Sequence, residues 1–235
     1  MALKDALIEQ GPAGIDLAAA GAIIPFGAAL IRSAARTVKG TKDDNSSGVI
    51  GFSVQPANNV VLDQDGFYQA VNSAGVPDIV RVVRGGAKFN ALVIAKANTS
   101  IQDGDYLEAA PLGSAGVYMG VLNEAGSNAG ETNLTTARAQ ALEDCTITSA
   151  SYKTPASGVA IGDSTITFSS ADLALLDLRE GDYIILEDVN GAASWNRVKS
   201  LTPTIVTLQF PALSALVVND NDFVYKVFQV KARAL

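Results

Sequence analysis

Ile101-Gln102-Asp103-Gly104-Asp105-Tyr106-Leu107 is the stretch that decides the fold. An apolar residue leads into a short acidic–glycine turn, and an aromatic and an aliphatic residue leave it. Glycine supplies the positive φ of a tight turn without Cβ strain. An aspartate oxygen can accept from nearby backbone N–H groups, and the apolar residues that follow start a strand. The pattern returns as Leu178-Arg179-Glu180-Gly181-Asp182-Tyr183-Ile184. A degenerate form, Ile24-Pro25-Phe26-Gly27-Ala28-Ala29-Leu30, stands nearer the start. The step from Ile24 to Ile101 is 77 residues, and so is the step from Ile101 to Leu178. A strand-launching turn used three times builds β-structure, and Asp105 and Asp182 read as its backbone-bonding residues rather than as an acidic site.

The stretches on either side agree. Leu17 to Ile31 is rich in alanine, but Gly21, Pro25 and Gly27 interrupt it and favour short extended pieces over a helix. Val49-Ile50-Gly51-Phe52-Ser53-Val54 reads as a strand whose central glycine marks a bend or the approach of another backbone. Val60 to Val71 carries a hairpin signal around Asp65-Gly66. Ile79 to Val83, Leu92 to Ala95 and Gly116 to Leu122 read as further strands. Thr41 to Gly48 and Asn123 to Thr132 are polar loops. Ala137 to Asp144 fits either one helical turn or an extended closing strand.

Beyond a boundary near Asp144 to Pro155 a second run of short strands begins. Ser164 to Ser169 alternates, and Asp172 to Leu178 suggests a short helical turn before the third copy of the motif. Tyr183 to Leu186, Ala193 to Val198, Thr204 to Phe210 and Phe223 to Val230 follow as strands. So many short strands at close spacing suggest a small barrel or sandwich. At the other end, Leu3, Leu7 and Ile8 lie at helical spacing before Gly11-Pro12-Ala13-Gly14. So short a helix has to dock on something to be stable.

Composition narrows the chemistry. The 235 residues contain no histidine and one cysteine, Cys145. No intrachain disulfide can form, and the commonest general base and metal ligand is missing. Neither a phosphate-binding glycine loop nor a Gly-x-Ser-x-Gly elbow occurs. Asp63-x-Asp65-Gly66 lacks the ligand spacing of a calcium loop. The net charge of −7 argues against nucleic acid as the main partner. No apolar run is long enough and free enough of Pro and Gly to suggest a membrane span, and residues 1–10 do not read as a secretory signal. Arg81, Arg84 and Lys88 around Gly85-Gly86 form the best basic cluster, suited either to a charged hairpin end or to an acidic protein neighbour.

Residues 15–143 resemble the capsid decoration, or cement, proteins of tailed viruses. The likeness is carried by Ala22 to Leu30, Gly48 to Phe52, Asn98-Thr99-Ser100-Ile101 with Gly104-Asp105, Gly116 to Val121, and Ala139 to Asp144. It implies a compact β-barrel-like domain that binds the outer surface of an icosahedral shell, often as a trimer. No catalytic residue carries over.

The resulting expectation is an all-β protein of two small β-barrel or β-sandwich domains. Residues 1–14 form an N-terminal arm, 15–146 a capsid-binding domain, and 147–235 a second domain projecting outward. The expected partners are the major capsid protein and further copies of the chain as a homotrimer, with neither nucleic acid nor membrane. The expected place is the capsid surface of a virion. No cofactor, metal or catalytic residue is expected. Leu3, Leu7, Ile8, Arg81, Arg84 and Lys88 are the expected capsid or subunit contacts. Two rivals are a carbohydrate- or receptor-binding module stacking ligands on Tyr183 and Trp195, and a hydrolase using paired carboxylates at Asp103 or Asp182.

Overall fold

A computed structural model describes residues 13–18, 23–40, 49–54, 67–69, 79–94, 100–112, 117–125, 137–147, 152–190, 192–218 and 222–235. The first strands in chain order are β1 (Ala13–Ala18), β2 (Ile23–Pro25), β3 (Ala29–Ala34), β4 (Thr37–Gly40), β5 (Val49–Val54), β6 (Phe67–Gln69) and β7 (Ile79–Val83). Then come β8 (Lys88–Val93), β9 (Tyr106–Leu112), β10 (Val117–Glu124) and β11 (Ala139–Ala141). The remainder holds β12 (Tyr152–Lys153), β13 (Thr165–Thr167), the helix α1 (Ser170–Leu176), β14 (Tyr183–Glu187), β15 (Ala193–Leu201), β16 (Ile205–Leu208), β17 (Phe223–Lys226) and β18 (Phe228–Ala234). The all-β expectation holds.

Two closed five-stranded barrels form the body, in the orders β1-β4-β3-β5-β7 and β10-β8-β18-β11-β9. Their topologies are identical. In each, the first strand runs parallel to the third (β1 with β4, β8 with β10), and every other pairing, including the one that closes the barrel, is antiparallel. The register repeats as well. Gly27 N–H donates to Ser53 O at 2.8 Å, and Gly104 N–H donates to Ala141 O at 3.0 Å. Just before the turn, Ile24 pairs with Tyr68 and Ile101 with Cys145. Both members of that pair are displaced by the same 77 residues. The first two copies of the motif therefore mark a duplicated barrel.

The third copy launches β14 in a six-stranded sheet of order β12-β17-β14-β15-β16-β13. There the turn leans on a different neighbour, with Gly181 N–H donating to Val198 O on β15. The helix α1 is capped by Ser169, whose hydroxyl accepts from Asp172 N–H at 3.0 Å.

The expected division needs three corrections. Ala13 and Gly14, assigned to the arm, lie in β1 and pair with Val83 and Val82. Residues 15–146 do not make one barrel-like unit, because the first barrel is complete at Val83 and the second begins at Lys88. Nor do residues 147–235 form one separate domain. Only Val227 separates β17, which pairs with β14, from β18, which inserts between β8 and β11 and closes the second barrel. The six-stranded sheet is thus an insertion between the fourth and fifth strands of barrel two. Alternation in Phe223 to Val230 shows which residues share a face, but it carries no information about the partner strand.

Three apolar cores hold the units together. One joins Leu30, Val80 and Val82 of barrel one to Leu92, Ala110 and Val121 around barrel two and to Tyr183, Ile185, Trp195 and Tyr225 of the inserted sheet. A second links Phe52 and Val83 to Phe89, Leu107, Leu122 and Ala232, and the Phe52 and Phe89 rings stack at 4.2 Å. The third lies within the inserted unit, around Phe168, Leu176, Ile184 and Val206. Gly51 is the close-approach glycine its sequence suggested, since a Cβ there would lie 2.2 Å from Val83 O.

Candidate interaction surface

The acidic turns act on their own backbone. Asp105 Oδ2 accepts from Gln102 N–H at 2.7 Å while Asp105 N–H donates to Gln102 O at 3.1 Å; Gly104 between them has φ +94°. At Asp182 the same pair of bonds to Arg179 measures 2.9 and 3.0 Å, with Gly181 at φ +90°. Ala160-Ile161-Gly162-Asp163 is a further copy, with Ala160 N–H donating to Asp163 Oδ2 at 2.8 Å. Its Gly-Asp pair is visible in the sequence but falls outside the 77-residue spacing of the other copies. The degenerate copy explains itself: Pro25 occupies the position whose N–H the carboxylate would serve. Proline has no N–H, so an alanine suffices at position 28. Asp103 N–H donates to Asp144 Oδ1 at 2.8 Å, which adds a backbone tie.

Burial perturbs several carboxylates. Asp182 is pushed up chiefly by burial, against the opposing charge of Lys226 at 3.6 Å and the Arg179 N–H bond. Lys226 Nζ also donates to Asp177 O. Glu124 is raised by burial and then by the charge of Asp105. Glu187 is 2% exposed, and neither of its carboxylate oxygens meets a hydrogen-bond donor in bonding geometry. Burial first, with the Asp188 and Asp222 charges as smaller contributions, holds its pKa above the ordinary glutamate value, and the nearby Tyr225 hydroxyl opposes them. Asp222 serves the backbone, accepting from Val189 N–H at 2.6 Å and from Val217 N–H. Among the described residues no three Asp, Glu or Cys side chains converge to hold a metal ion.

The stacking platform is not available. Trp195 is 3% exposed and Tyr183 also is buried; their rings meet edge to face at 6.3 Å, and the Trp195 indole N–H donates to Met119 O at 3.2 Å. Both belong to the core between the inserted sheet and the barrels. A cleft of about 280 Å³ lies there, lined by Met119, Trp195, Leu213, the hydrogen-bonded Ser194–Ser214 pair and two alanines, with no ionisable group among the described residues.

Of the expected contact residues, Leu3, Leu7 and Ile8 lie outside the described residues. Arg84 is exposed, and Arg81 and Lys88 are half-buried. The turn from Arg84 to Ala87 links the barrels, and Gly86 N–H donates to Ala234 O at 2.8 Å. That bond brings the turn to the end of β18 and adds a residue the sequence reading did not single out, Arg233. On β18, Arg233 is the direct cross-strand partner of Lys88 on one side and of Gln140 on the other. Gln140 in turn pairs with Tyr106. The flanking Leu107, Ala139, Ala232 and Phe89 belong to the barrel-two core, so Tyr106, Gln140, Arg233 and Lys88 form one outward row across four strands. Lys231, exposed, shares the outward side of β18 with Arg233.

No family model, curated protein or solved structure matches this chain.

Proposed function

We propose that the chain is a virion structural protein that binds the outside of an icosahedral capsid as a homotrimer and stabilises the shell. The observation that carries this reading is how the polar chemistry is used. The acidic turns bond their own backbone, and no ionisable side chain among the described residues lines the cleft beside Trp195. The two barrels and the inserted sheet are instead joined through shared apolar cores. Such a body suits extended contact, where affinity comes from area and shape rather than from a single charge pair. The resemblance of residues 15–143 to decoration proteins points the same way. In this reading the carboxylates have no catalytic role, and residues 1–12, which precede β1, act as an arm that orders on a neighbour.

Shells of the encoding virus, heated with and without the purified chain, test the proposal. Bound protein should raise the temperature at which the shells open, and deletion of residues 1–12, which leaves β1 intact, should lower occupancy. The mass in solution should be three times 24.3 kDa. Shells that neither bind the chain nor gain stability from it would sink the proposal.

A further inference from the structure

The outward row of barrel two runs against the charge of the whole chain. The protein carries a net charge of −7, yet Lys88 and Arg233 stand side by side on neighbouring strands. Arg84 lies at the adjoining turn, and Lys231 is two residues away on the same side of β18. Two like charges directly opposed on a ladder concentrate positive charge at this end of the face, with the Glu143 carboxylate at its margin accepting from Lys231 N–H at 2.9 Å. At the other end of the row Tyr106 is 38% exposed, a large amphipathic side chain of the kind enriched in protein interfaces. Gln140 links the two halves, and its Nε2 donates to Gly104 O at 3.2 Å, which fixes the row relative to the acidic turn. All four residues sit on paired strands, so their spacing is set by the ladder rather than by a loop.

We infer that this face, Tyr106–Gln140–Arg233–Lys88 with Arg84 and Lys231 beside it, docks an acidic segment of a partner protein. Resting on the capsid reading, that segment belongs to the shell. Charge complementarity selects the partner: carboxylates answer the Arg233–Lys88 end while an apolar or aromatic group covers Tyr106. Such a face governs encounter rate and orientation, and its strength falls with salt.

The test uses the full chain and three probes: immobilised poly-L-glutamate, duplex DNA, and DNA-free shells of the encoding virus. The variants are Lys88→Glu with Arg233→Glu, the neutral pair Lys88→Gln with Arg233→Gln, and a control, Lys199→Glu, on an exposed position of the inserted sheet. Circular dichroism establishes that each is folded. Charge reversal should weaken binding to poly-glutamate and to shells by about tenfold or more at low salt, the neutral pair less, and high salt should erase the difference. The control should stay within about twofold. Shell binding unchanged by charge reversal overturns this inference and leaves the decoration reading standing. Binding to poly-glutamate through the face, with none to shells, keeps the face and removes the decoration reading. Duplex DNA bound more tightly than poly-glutamate makes the face a phosphate surface and overturns the inference.

Discussion

At Asp105 and Asp182 the carboxylate replaces water as the acceptor for an N–H at the mouth of a tight turn. Removing it by Asp105→Ala should cost about 1 kcal/mol in chemical denaturation. Gly104 and Gly27 hold nearly the same positive φ, +94° and +95°, but their surroundings differ. A Cβ on Gly104 meets nothing within 4 Å, whereas one on Gly27 would lie 2.2 Å from Asn90 O in the neighbouring barrel. Gly104→Ala should therefore cost only the backbone strain, about 1–2 kcal/mol. Gly27→Ala should add overpacking and reach about 2–5 kcal/mol. Equal losses at the two sites would show that the barrels do not approach each other as described. Glu187 allows a pH test at the same scale. Its folded pKa lies above the ordinary value of 4.5, so the folded state holds the proton more tightly than the unfolded chain does. Its contribution to stability is fully present below that ordinary value and is lost as pH rises through the raised folded pKa. Glu187→Gln should match the parent in acid and exceed it at neutral pH. A variant less stable than the parent at pH 7 would mean that the carboxylate has an ionic partner.

At the scale of elements, the decisive strand is β18. It pairs with six residues of β8 and three of β11, and without it barrel two has two open edges. A chain ending at Val227 should lose strand signal in the far ultraviolet and self-associate. A soluble monomer with full strand content would show that the barrel closes without its last strand. The same strand marks the limit of what the residues reveal on their own. Turn chemistry is local, so Gly-Asp pairs and alternating runs foretold the strand starts near Ala29, Tyr106 and Tyr183. Strand partnership is not local. Nothing in Phe223-Val224-Tyr225-Lys226 as against Phe228-Gln229-Val230 says that the first belongs beside β14 and the second beside β8. Arg233 was missed for this reason: its neighbour Lys88 lies far away in sequence, and only the ladder brings them together. The 77-residue step was the one visible trace of the duplication. The equivalent pairs Ile24–Tyr68 and Ile101–Cys145 give that step its meaning. Trp195 misled in the opposite direction, because a tryptophan on a strand looks the same in sequence whether its face meets solvent or another sheet.

At the scale of the molecule, the inserted sheet and the barrels are joined by packing as well as by two chain crossings. Trp195, Tyr183, Ile185 and Tyr225 share one core with Leu30 and Val82 of the first barrel and Leu92 and Val121 around the second. The Phe52–Phe89 stack ties the two barrels through another. Units that share buried apolar surface to this extent lose it together, so unfolding one exposes the core of the next. Calorimetry should therefore record a single transition for the whole chain, although the topology contains three β-units. Trp195→Ala sharpens the test. It removes a buried ring and its hydrogen bond to Met119 O at the junction, and should cost about 3–5 kcal/mol. If the cores are common property, that loss lowers the midpoint of the entire transition, as seen equally by hydrogen exchange in β5, β8 and β14. A variant in which β14 opens early while β5 and β8 keep the parent's protection would show the inserted sheet to be an independent appendage.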